Sequence, residues 1–165
     1  MKKTLIIALM LAPMSMFAQK FAHFSSADVI PAMPEYTQAQ TELKALGETY
    51  EKDLKAMQDE LQSKSEAYDK EQATLPDNIK QRREQELQDL YQRMQQSYQD
   101  NQEALSQAQQ DKLSAIQEKV IAALKKVGEA GGYIYIIDTT GGTIPFINTA
   151  LSTDVTADVK KALGI

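Results

Sequence analysis

Cysteine and tryptophan are absent from this 165-residue sequence, and histidine occurs only once, at His23. Without cysteine the chain forms neither disulfides nor thiolate zinc sites, and it has no cysteine nucleophile. A single histidine excludes a metal site of several histidines and leaves a serine hydrolase with only one candidate base. The sequence therefore predicts a protein that is not an enzyme, with no catalytic residue, no metal site and no cofactor.

Basic residues, glycine and proline are also scarce. Lysine and arginine number 18 against 23 acidic residues, for a net charge of −5, whereas proteins that bind nucleic acids usually present a basic surface. Seven glycines and five prolines exclude collagen-like and linker-like chains, and the sequence has no glycine-rich phosphate loop. We predict a globular protein with no nucleic-acid partner and no use of ATP.

The first eighteen residues are typical of a secretory signal peptide. A basic start at Met1–Lys3 precedes an apolar run over Thr4–Leu11, and Ala18 supplies a small residue for cleavage. The alternative, a membrane anchor, is disfavoured because the apolar run is too short to span about 30 Å of hydrocarbon. Cleavage after Ala18 removes two lysines and no acidic residue, which changes the net charge from −5 to −7. We expect an exported chain of residues 19–165 without stable membrane insertion.

Residues 35–127 have the composition of two long helices. The stretch is rich in glutamine, glutamate, lysine, alanine and leucine, and only Gly47 and Pro76 interrupt it. Its apolar residues recur mostly at steps of three, four or seven, which is the pattern of a narrow coiled-coil seam. We predict an antiparallel helical hairpin over 35–127 with its tip near 74–78, where Thr74 caps the returning helix.

The apolar residues also predict the register of this hairpin. Facing residues of an antiparallel pair have numbers with a constant sum, and Leu61 with Tyr91 gives 152, as do two further pairs. Half of that sum falls at the proline of the predicted tip, so the pattern and the turn agree. Near the tip this register places Tyr68 opposite Glu84, which weakens the seam. We predict a mobile tip; the alternative is that a neighbouring chain covers these residues.

The two ends of the chain predict a small sheet. Phe21–Ser25 and Tyr133–Ile137 are rich in aromatic and β-branched residues and read as strands. Thr139–Thr143 reads as a glycine-containing hairpin turn that leads into a third strand over Ile144–Asn148. A last helix is expected to begin at a Thr156 cap, end near residue 163 and be terminated by the glycine at 164.

The predicted fold class is therefore α+β, with a long antiparallel coiled-coil hairpin on a small β-rich body made of residues 19–34 and 128–165. A body of this size has too few residues to bury a good core alone, so we expect it to associate into an oligomer. The predicted oligomerisation residues are Phe21, Phe24, Val120, Leu124, Val127, Ile134 and Ile136.

Two features could suggest catalysis, and both have a simpler reading. The segment Asp138–Gly141 is similar to the Asp-Thr-Gly turn of aspartic proteases but contains one residue too many, so we interpret it as a plain hairpin turn. His23 lies within the first predicted strand without an accompanying serine motif. We interpret it as a hydrogen-bonded or surface histidine rather than a catalytic base.

The predicted hairpin carries two candidate contact surfaces. A basic cluster near the tip either solvates the helix and pairs with nearby acids, or contacts an anionic membrane or an acidic client. Partly exposed tyrosines and methionines either pack within the seam or form an adaptable surface for unfolded chains. The tip cluster is Lys80, Arg82 and Arg83, and the predicted client-binding residues are Tyr50, Met57, Tyr68, Tyr91, Met94 and Tyr98.

Three stretches near the ends of the mature chain carry a family resemblance. They are Met33–Tyr36, Gly132–Asp138 and Asp154–Leu163. Together with the signal peptide and the predicted hairpin, they resemble the Skp/OmpH family of periplasmic chaperones over essentially the whole mature chain. The central coiled coil is the less specific part, because many unrelated proteins share its pattern.

The resemblance implies a homotrimer in which a β-barrel-like body built from three chains carries three hairpins around a cavity. It also implies an ATP-independent holdase that captures unfolded outer-membrane β-barrel proteins in the periplasm and prevents their aggregation. Family members are often strongly basic, whereas this chain is acidic, so we do not extend to it a membrane or lipopolysaccharide contact. The alternative function is that of a coiled-coil structural or adaptor protein of the cell envelope that binds one folded partner.

Overall fold

The computed structural model describes residues 19–142 and 144–165, so the predicted signal peptide lies outside the described residues. The described chain divides into two compact units. Residues 35–115 form one unit, which we call the hairpin, and residues 19–34 with 116–165 form the other, which we call the body. The predicted fold class is confirmed, because two long helices form the hairpin and three short strands form a sheet.

The hairpin is built from helix α2, Pro34–Glu71, and the part of helix α3, Asp77–Gly131, that precedes residue 116. Proline suits the first position of α2 because the first N–H groups of a helix have no partner within it. Both helices are mainly polar, and their surfaces carry hydrogen bonds and ion pairs between side chains one turn apart. On α3, three glutamine-to-aspartate hydrogen bonds recur at intervals of eleven residues: Gln85 to Asp89, Gln96 to Asp100 and Gln107 to Asp111.

Two contacts between the helices give the register of the hairpin. The Tyr68 hydroxyl donates a hydrogen bond to the Glu84 carboxylate at 2.5 Å, and these residue numbers sum to the predicted 152. Farther from the tip, Lys112 forms an ion pair with Glu42, whose numbers sum to 154. The predicted register is therefore confirmed near the tip and differs by two residues at the Glu42 pair.

The tip of the hairpin differs from the prediction in how its helices are capped. The Thr74 hydroxyl donates to the carbonyl of Glu71, so Thr74 terminates α2 instead of capping α3. The carbonyl of Pro76 accepts the N–H groups of Ile79 and Lys80, and α3 begins directly after this proline. The prediction for Thr74 was wrong because the side chain satisfies a carbonyl at the end of one helix, not an N–H group at the start of the next.

The body contains a three-stranded sheet in which every pairing is parallel. Strand β1, Lys20–Phe24, lies in the centre between β2, Tyr133–Asp138, and β3, Ser152–Asp154. The predictions of the first two strands are confirmed within one residue at their ends. Because β2 and β3 each pair only with β1 within the described chain, the sheet has two open edges.

The predicted hairpin turn and third strand are wrong. Ile144–Asn148 is not a strand, and the third strand is the polar segment Ser152–Asp154, which runs parallel to β1. Pro145 lacks the N–H group of a regular ladder, and the Asn148 carbonyl accepts the N–H groups of Leu151 and Ser152 in a turn. The chain therefore crosses from one edge of the sheet to the other after Asp138 instead of folding back on β2.

The core of the body lies on one face of the sheet. A short helix α1, Ser26–Val29, with a 3-10 turn, Ile30–Ala32, follows β1, and neither was predicted. Helix α4, Thr156–Leu163, contacts both α1 and β1. The fully buried side chains with the largest volumes come from these segments and their flanks. They are Met33, Val29, Val155 and Val159.

The two ends of α4 show one prediction confirmed and one corrected. Gly164 adopts the left-handed conformation with φ of 81° and donates to the last carbonyls, as expected of a C-terminal glycine. Thr156 is the first residue of α4 and not its N-cap. The Asp154 carboxylate instead accepts hydrogen bonds from the N–H and hydroxyl of Thr156. A carboxylate is the stronger acceptor at a helix N-terminus, where the backbone N–H groups are unsatisfied.

Candidate functional site

An open groove lies between the two helices of the hairpin. It has a volume of about 530 Å³ and contains no charged residue in its lining. Helix α2 contributes two residues, and α3 contributes five that recur at steps of three and four, so that they share one helix face. The lining residues are Leu54, Gln58, Tyr91, Met94, Gln95, Tyr98 and Gln99.

A second concave surface continues this groove toward the tip. Its volume is about 380 Å³, and it shares Gln58 and Tyr91 with the first. Glu66 is the one charged residue of its lining, and this carboxylate accepts a hydrogen bond from Gln62. We call the two surfaces together the groove. The remaining lining residues of the second surface are Leu61, Ser65 and Leu87.

Three of the six predicted client-binding residues meet in this groove. Tyr91 and Tyr98 keep 47% and 55% of their surface exposed, and Met94 lies half-buried between them. A packed seam would cover these rings, so the groove presents aromatic surface to the solvent. Burial of such surface by another chain is favourable, because tyrosine contributes a large apolar ring with a polar hydroxyl.

The other three predicted client-binding residues lie elsewhere on the hairpin. Tyr50 and Met57 are half-buried on α2 and do not line the groove. Tyr68 is held by Glu84 across the two helices. Donation to this carboxylate raises the pKa of the Tyr68 hydroxyl, because losing the proton removes the bond and places two negative charges together. The role of these three residues as client contacts stays a prediction.

The glutamines that line the groove were not among the predicted client-binding residues. Gln58 lies on α2, whereas on α3 the steps of four from Tyr91 to Gln95 and from Gln95 to Gln99 place these residues on one helix face. Gln95 lies four residues after Tyr91, and Gln99 lies one residue after Tyr98. A same-face search that included polar residues would have found Gln95.

The predicted oligomerisation residues differ in how far they are buried within the body. Phe24 and Val120 are buried within the chain itself, whereas Ile134 is 47% exposed. Phe21 stacks on Tyr135 with ring centroids 6.4 Å apart, and both rings remain partly exposed. Leu124, Val127 and Ile136 are half-buried.

Further apolar side chains of the body are exposed and were not predicted as contacts. Phe146 is 77% exposed in the segment that was predicted as a strand, and Leu151 is similarly exposed just before β3. Ile121 is exposed on α3. Several large apolar side chains on one small unit mark a surface suited to association.

His23 ties the central strand to its neighbour. Its Nδ1 atom lies 2.9 Å from the Ser152 hydroxyl, across the β1–β3 pairing. The carboxylate of Asp154, which pairs with His23 in the β1–β3 register, accepts hydrogen bonds from the N–H and hydroxyl of Thr156. These bonds are the main cause that lowers the pKa of Asp154, and the electrostatic interaction with His23 lowers it further. A serine hydrolase needs the histidine to bridge serine and aspartate through its two ring nitrogens. The observed geometry supports a structural role for His23.

Asp138 also has a structural role. Its carboxylate accepts hydrogen bonds from the backbone N–H groups of Ser26 and Thr140, at 3.1 and 2.9 Å. Partial burial raises the pKa of Asp138, but these hydrogen bonds outweigh burial and the net shift is downward. The residue fastens the end of β2 to the start of α1, rather than serving in the plain hairpin turn that was predicted.

The basic cluster near the tip is largely paired with acids one turn away. Lys80 lies 3.8 Å from Asp77, and Arg82 lies 3.7 Å from Glu86. Arg83 is half-buried. These distances favour the reading in which the cluster solvates and stabilises the helix. Over residues 19–142 and 144–165, no helix combines the length and apolar character needed to cross a membrane.

Comparisons with known proteins place these features in a family. The model of the family described as "Outer membrane protein (OmpH-like)" matches residues 20–163. No curated protein matches the sequence. The fold is similar to the crystal structure of a candidate outer membrane chaperone (OmpH-like) from Caulobacter crescentus CB15, with a TM-score of 0.75 and 19% identity, over 88% of this chain and 83% of that chain.

Proposed function

The chain belongs to the OmpH-like family of outer membrane proteins, and on that premise we propose that it is an ATP-independent holdase chaperone of the periplasm. It binds unfolded outer-membrane β-barrel proteins and prevents their aggregation. The predicted signal peptide over residues 1–18 exports it to that compartment. Holding an unfolded chain requires surface contacts and no chemical step, so no catalytic group, metal or cofactor takes part.

The observation that carries this proposal is the exposed aromatic surface of the groove. Tyr91 and Tyr98 remain about half exposed beside Met94 although their rings could pack inside a seam. Tyrosine and methionine form contacts that tolerate many partner sequences, because the thioether is flexible and the ring is amphipathic. Such a surface suits a protein that must bind many unfolded clients and release them.

The proposed clients fit this surface. Strands of outer-membrane barrels alternate outward apolar and inward polar side chains, so an unfolded barrel exposes apolar side chains along its whole length. Several weak contacts with one client raise the overall affinity through the effective concentration of the linked segments. Each contact remains individually weak, which permits release without ATP.

We place oligomerisation in the body. The sheet has two open edges within the described chain, and Ile134 on β2 and Leu151 directly before β3 expose apolar surface there. Phe146 is exposed in the segment between these two strands. Pairing of open edges and burial of this surface would join three copies into a homotrimer, with the client held in the cavity between three hairpins.

The proposal is tested by the aggregation of an unfolded barrel. A urea-unfolded outer-membrane β-barrel protein is diluted into buffer without nucleotide, and light scattering is recorded with and without residues 19–165 of this chain. Suppressed scattering at about one trimer per client is expected. Unchanged scattering, from a preparation shown to be folded and oligomeric, contradicts the holdase and favours an adaptor that binds one folded partner.

A further inference from the structure

Methionine supplies all of the sulfur in residues 19–165. The sequence has no cysteine, and four of its seven methionines lie in the predicted signal peptide, which leaves Met33, Met57 and Met94. Oxidation of the thioether to a sulfoxide is a common oxidative lesion of proteins, and cysteine, the usual competitor for an oxidant, is missing here. An oxidant that meets the mature chain is therefore expected to react first at these three side chains.

Burial separates the three methionines. Met33 is 1% exposed in the core of the body, so an oxidant reaches its sulfur only when the body opens. Met57 on α2 and Met94 on α3 are half-buried. Met94 also lines the open groove of about 530 Å³, between two tyrosines whose rings remain about half exposed. The hairpin therefore holds the two methionines that a small solute reaches while the protein is folded.

The two hairpin methionines lie at the same level of the seam. Their numbers sum to 151, within one of the sum given by the interhelical hydrogen bond near the tip. Leu54 and Gln58, which lie on either side of Met57 along α2, line the same concave surface as Met94. Oxidation at either position therefore alters one short section of the pairing between the helices.

Oxidation makes this section of the seam polar. A sulfoxide carries a polar S–O group in place of the thioether, and it disrupts apolar packing. Leu90, one turn before Met94 on α3, is only 4% exposed, so the change falls beside a well-buried part of the seam. Because the groove is open, water can bond to the new oxygen. We expect a weaker seam and a less apolar groove in a protein that remains folded.

We propose that Met94 and Met57 form a modification site at which oxidation by a peroxide lowers client capture. One oxygen atom of hydrogen peroxide is transferred to the sulfur, which loses two electrons. The S–O bond forms as the O–O bond breaks, and the other oxygen leaves as water with both protons. The effect on capture rests on the proposed function, because Met94 lies between the rings that are proposed to hold the client. Methionine sulfoxide reductases restore the thioether, so the change is reversible.

The order of oxidation is the first test. The mature protein is treated with hydrogen peroxide, and peptide mapping by mass spectrometry follows the sulfoxide at each methionine over time. Met57 and Met94 are expected to react at least about tenfold faster than Met33, because an opening step that costs only about 1.4 kcal/mol already protects by that factor. Equal rates at the three positions of the folded protein would overturn the assignment.

Two variants separate the hairpin sulfurs from other peroxide damage. Met57→Leu with Met94→Leu keeps apolar side chains of similar volume and removes the proposed site, whereas Met33→Leu is the matched control that retains it. Peroxide should lower the melting temperature of the wild type and of the control by a few degrees. It should also lower their affinity for a labelled unfolded barrel about fourfold, the factor that corresponds to losing one buried methylene group. A double variant that loses as much affinity as the control would overturn the proposal.

These outcomes are separable from those of the aggregation test. If the untreated protein suppresses aggregation and the fully oxidised protein suppresses it equally, the holdase stands and this modification site falls. If the untreated protein does not suppress aggregation, the holdase and the effect on capture both fall, even where Met57 and Met94 are oxidised first. An unchanged melting temperature after complete oxidation of both would also overturn the proposal, because it removes their sulfurs from the seam.

Discussion

The hydroxyl of Tyr68 donates a 2.5 Å hydrogen bond to the carboxylate of Glu84 across the two helices of the hairpin. This contact places residues that sum to 152 opposite each other, as the pattern of apolar residues predicted. The pair was predicted to weaken the seam, because tyrosine and glutamate do not pack as two apolar side chains do. A hydrogen bond instead joins the helices where the apolar stripe is weak.

Substitution Tyr68→Phe should lower the melting temperature of the protein at pH 7. In alkaline solution, above the raised pKa of Tyr68, the variant and the wild type should melt at the same temperature. The pKa of Tyr68 is raised in the folded state, so its contribution is present below the ordinary tyrosine value of 10.0 and is lost as the pH rises through the raised pKa. Circular dichroism melts of both proteins across this range would show the two curves converging at high pH. A constant difference at every pH would contradict this role.

Substitution Ile134→Asp should prevent formation of the proposed homotrimer and give monomers. Ile134 is 47% exposed on the edge strand β2, so the aspartate is tolerated by a single chain but places a charge in the proposed interface. Ile134→Val keeps an apolar side chain and is the control. Sedimentation velocity distinguishes the two, and an aspartate variant that sediments like the wild type would remove β2 from the interface.

Replacing Tyr91 and Tyr98 together with serine should weaken client capture strongly and change the melting temperature little. Both rings are about half exposed, so the hairpin loses little packing while the groove loses its aromatic surface. Tyr36→Ser is the control, because Tyr36 is a half-buried tyrosine of the hairpin that neither lines the groove nor is a predicted client-binding residue. Affinity for a labelled unfolded barrel is the measurement. Equal affinity of the double variant and the control would move the binding surface away from the groove.

Substitution Met33→Ala should destabilise the body by about 2–5 kcal/mol, since Met33 is fully buried and its truncation leaves a cavity. Met57→Ala, at a half-buried position of the hairpin, should cost clearly less. Urea unfolding at one fixed protein concentration is required, because the stability of an oligomer depends on concentration. Equal losses for the two variants would contradict the assignment of Met33 to the core.

The sequence predicted the hairpin well because its determinants are local. The apolar stripe of each helix sets the register, as in the pair of Leu61 and Tyr91, and the proline marks the tip. The residues between are strong helix formers, so each local signal predicts the same hairpin. The third strand was misplaced for the opposite reason. Ser152–Asp154 has no apolar alternation, and it becomes a strand only by pairing with β1, about 130 positions earlier in the chain.

The candidate site was predicted in part. Tyr91, Met94 and Tyr98 were predicted because a seam between only two helices does not bury a whole tyrosine ring, which leaves aromatic and thioether side chains partly exposed. Gln58 and Gln95 were not, because glutamine is a common helix former and its presence on a polar helix does not by itself indicate a binding surface. Phe24 shows a related limit, since an apolar residue of a strand can serve the core of its own chain as well as an interface.

Photocrosslinking from the groove tests the central claim most directly. Benzoylphenylalanine replaces Tyr98 in one protein and Gln96 in another, and each captures a labelled, urea-unfolded outer-membrane β-barrel before illumination. The account predicts a strong adduct with the client from position 98, which lines the groove, and at most a weak one from position 96, whose native glutamine is bonded to Asp100. Equal adducts from both positions, or none from position 98 while the client stays in solution, would contradict it.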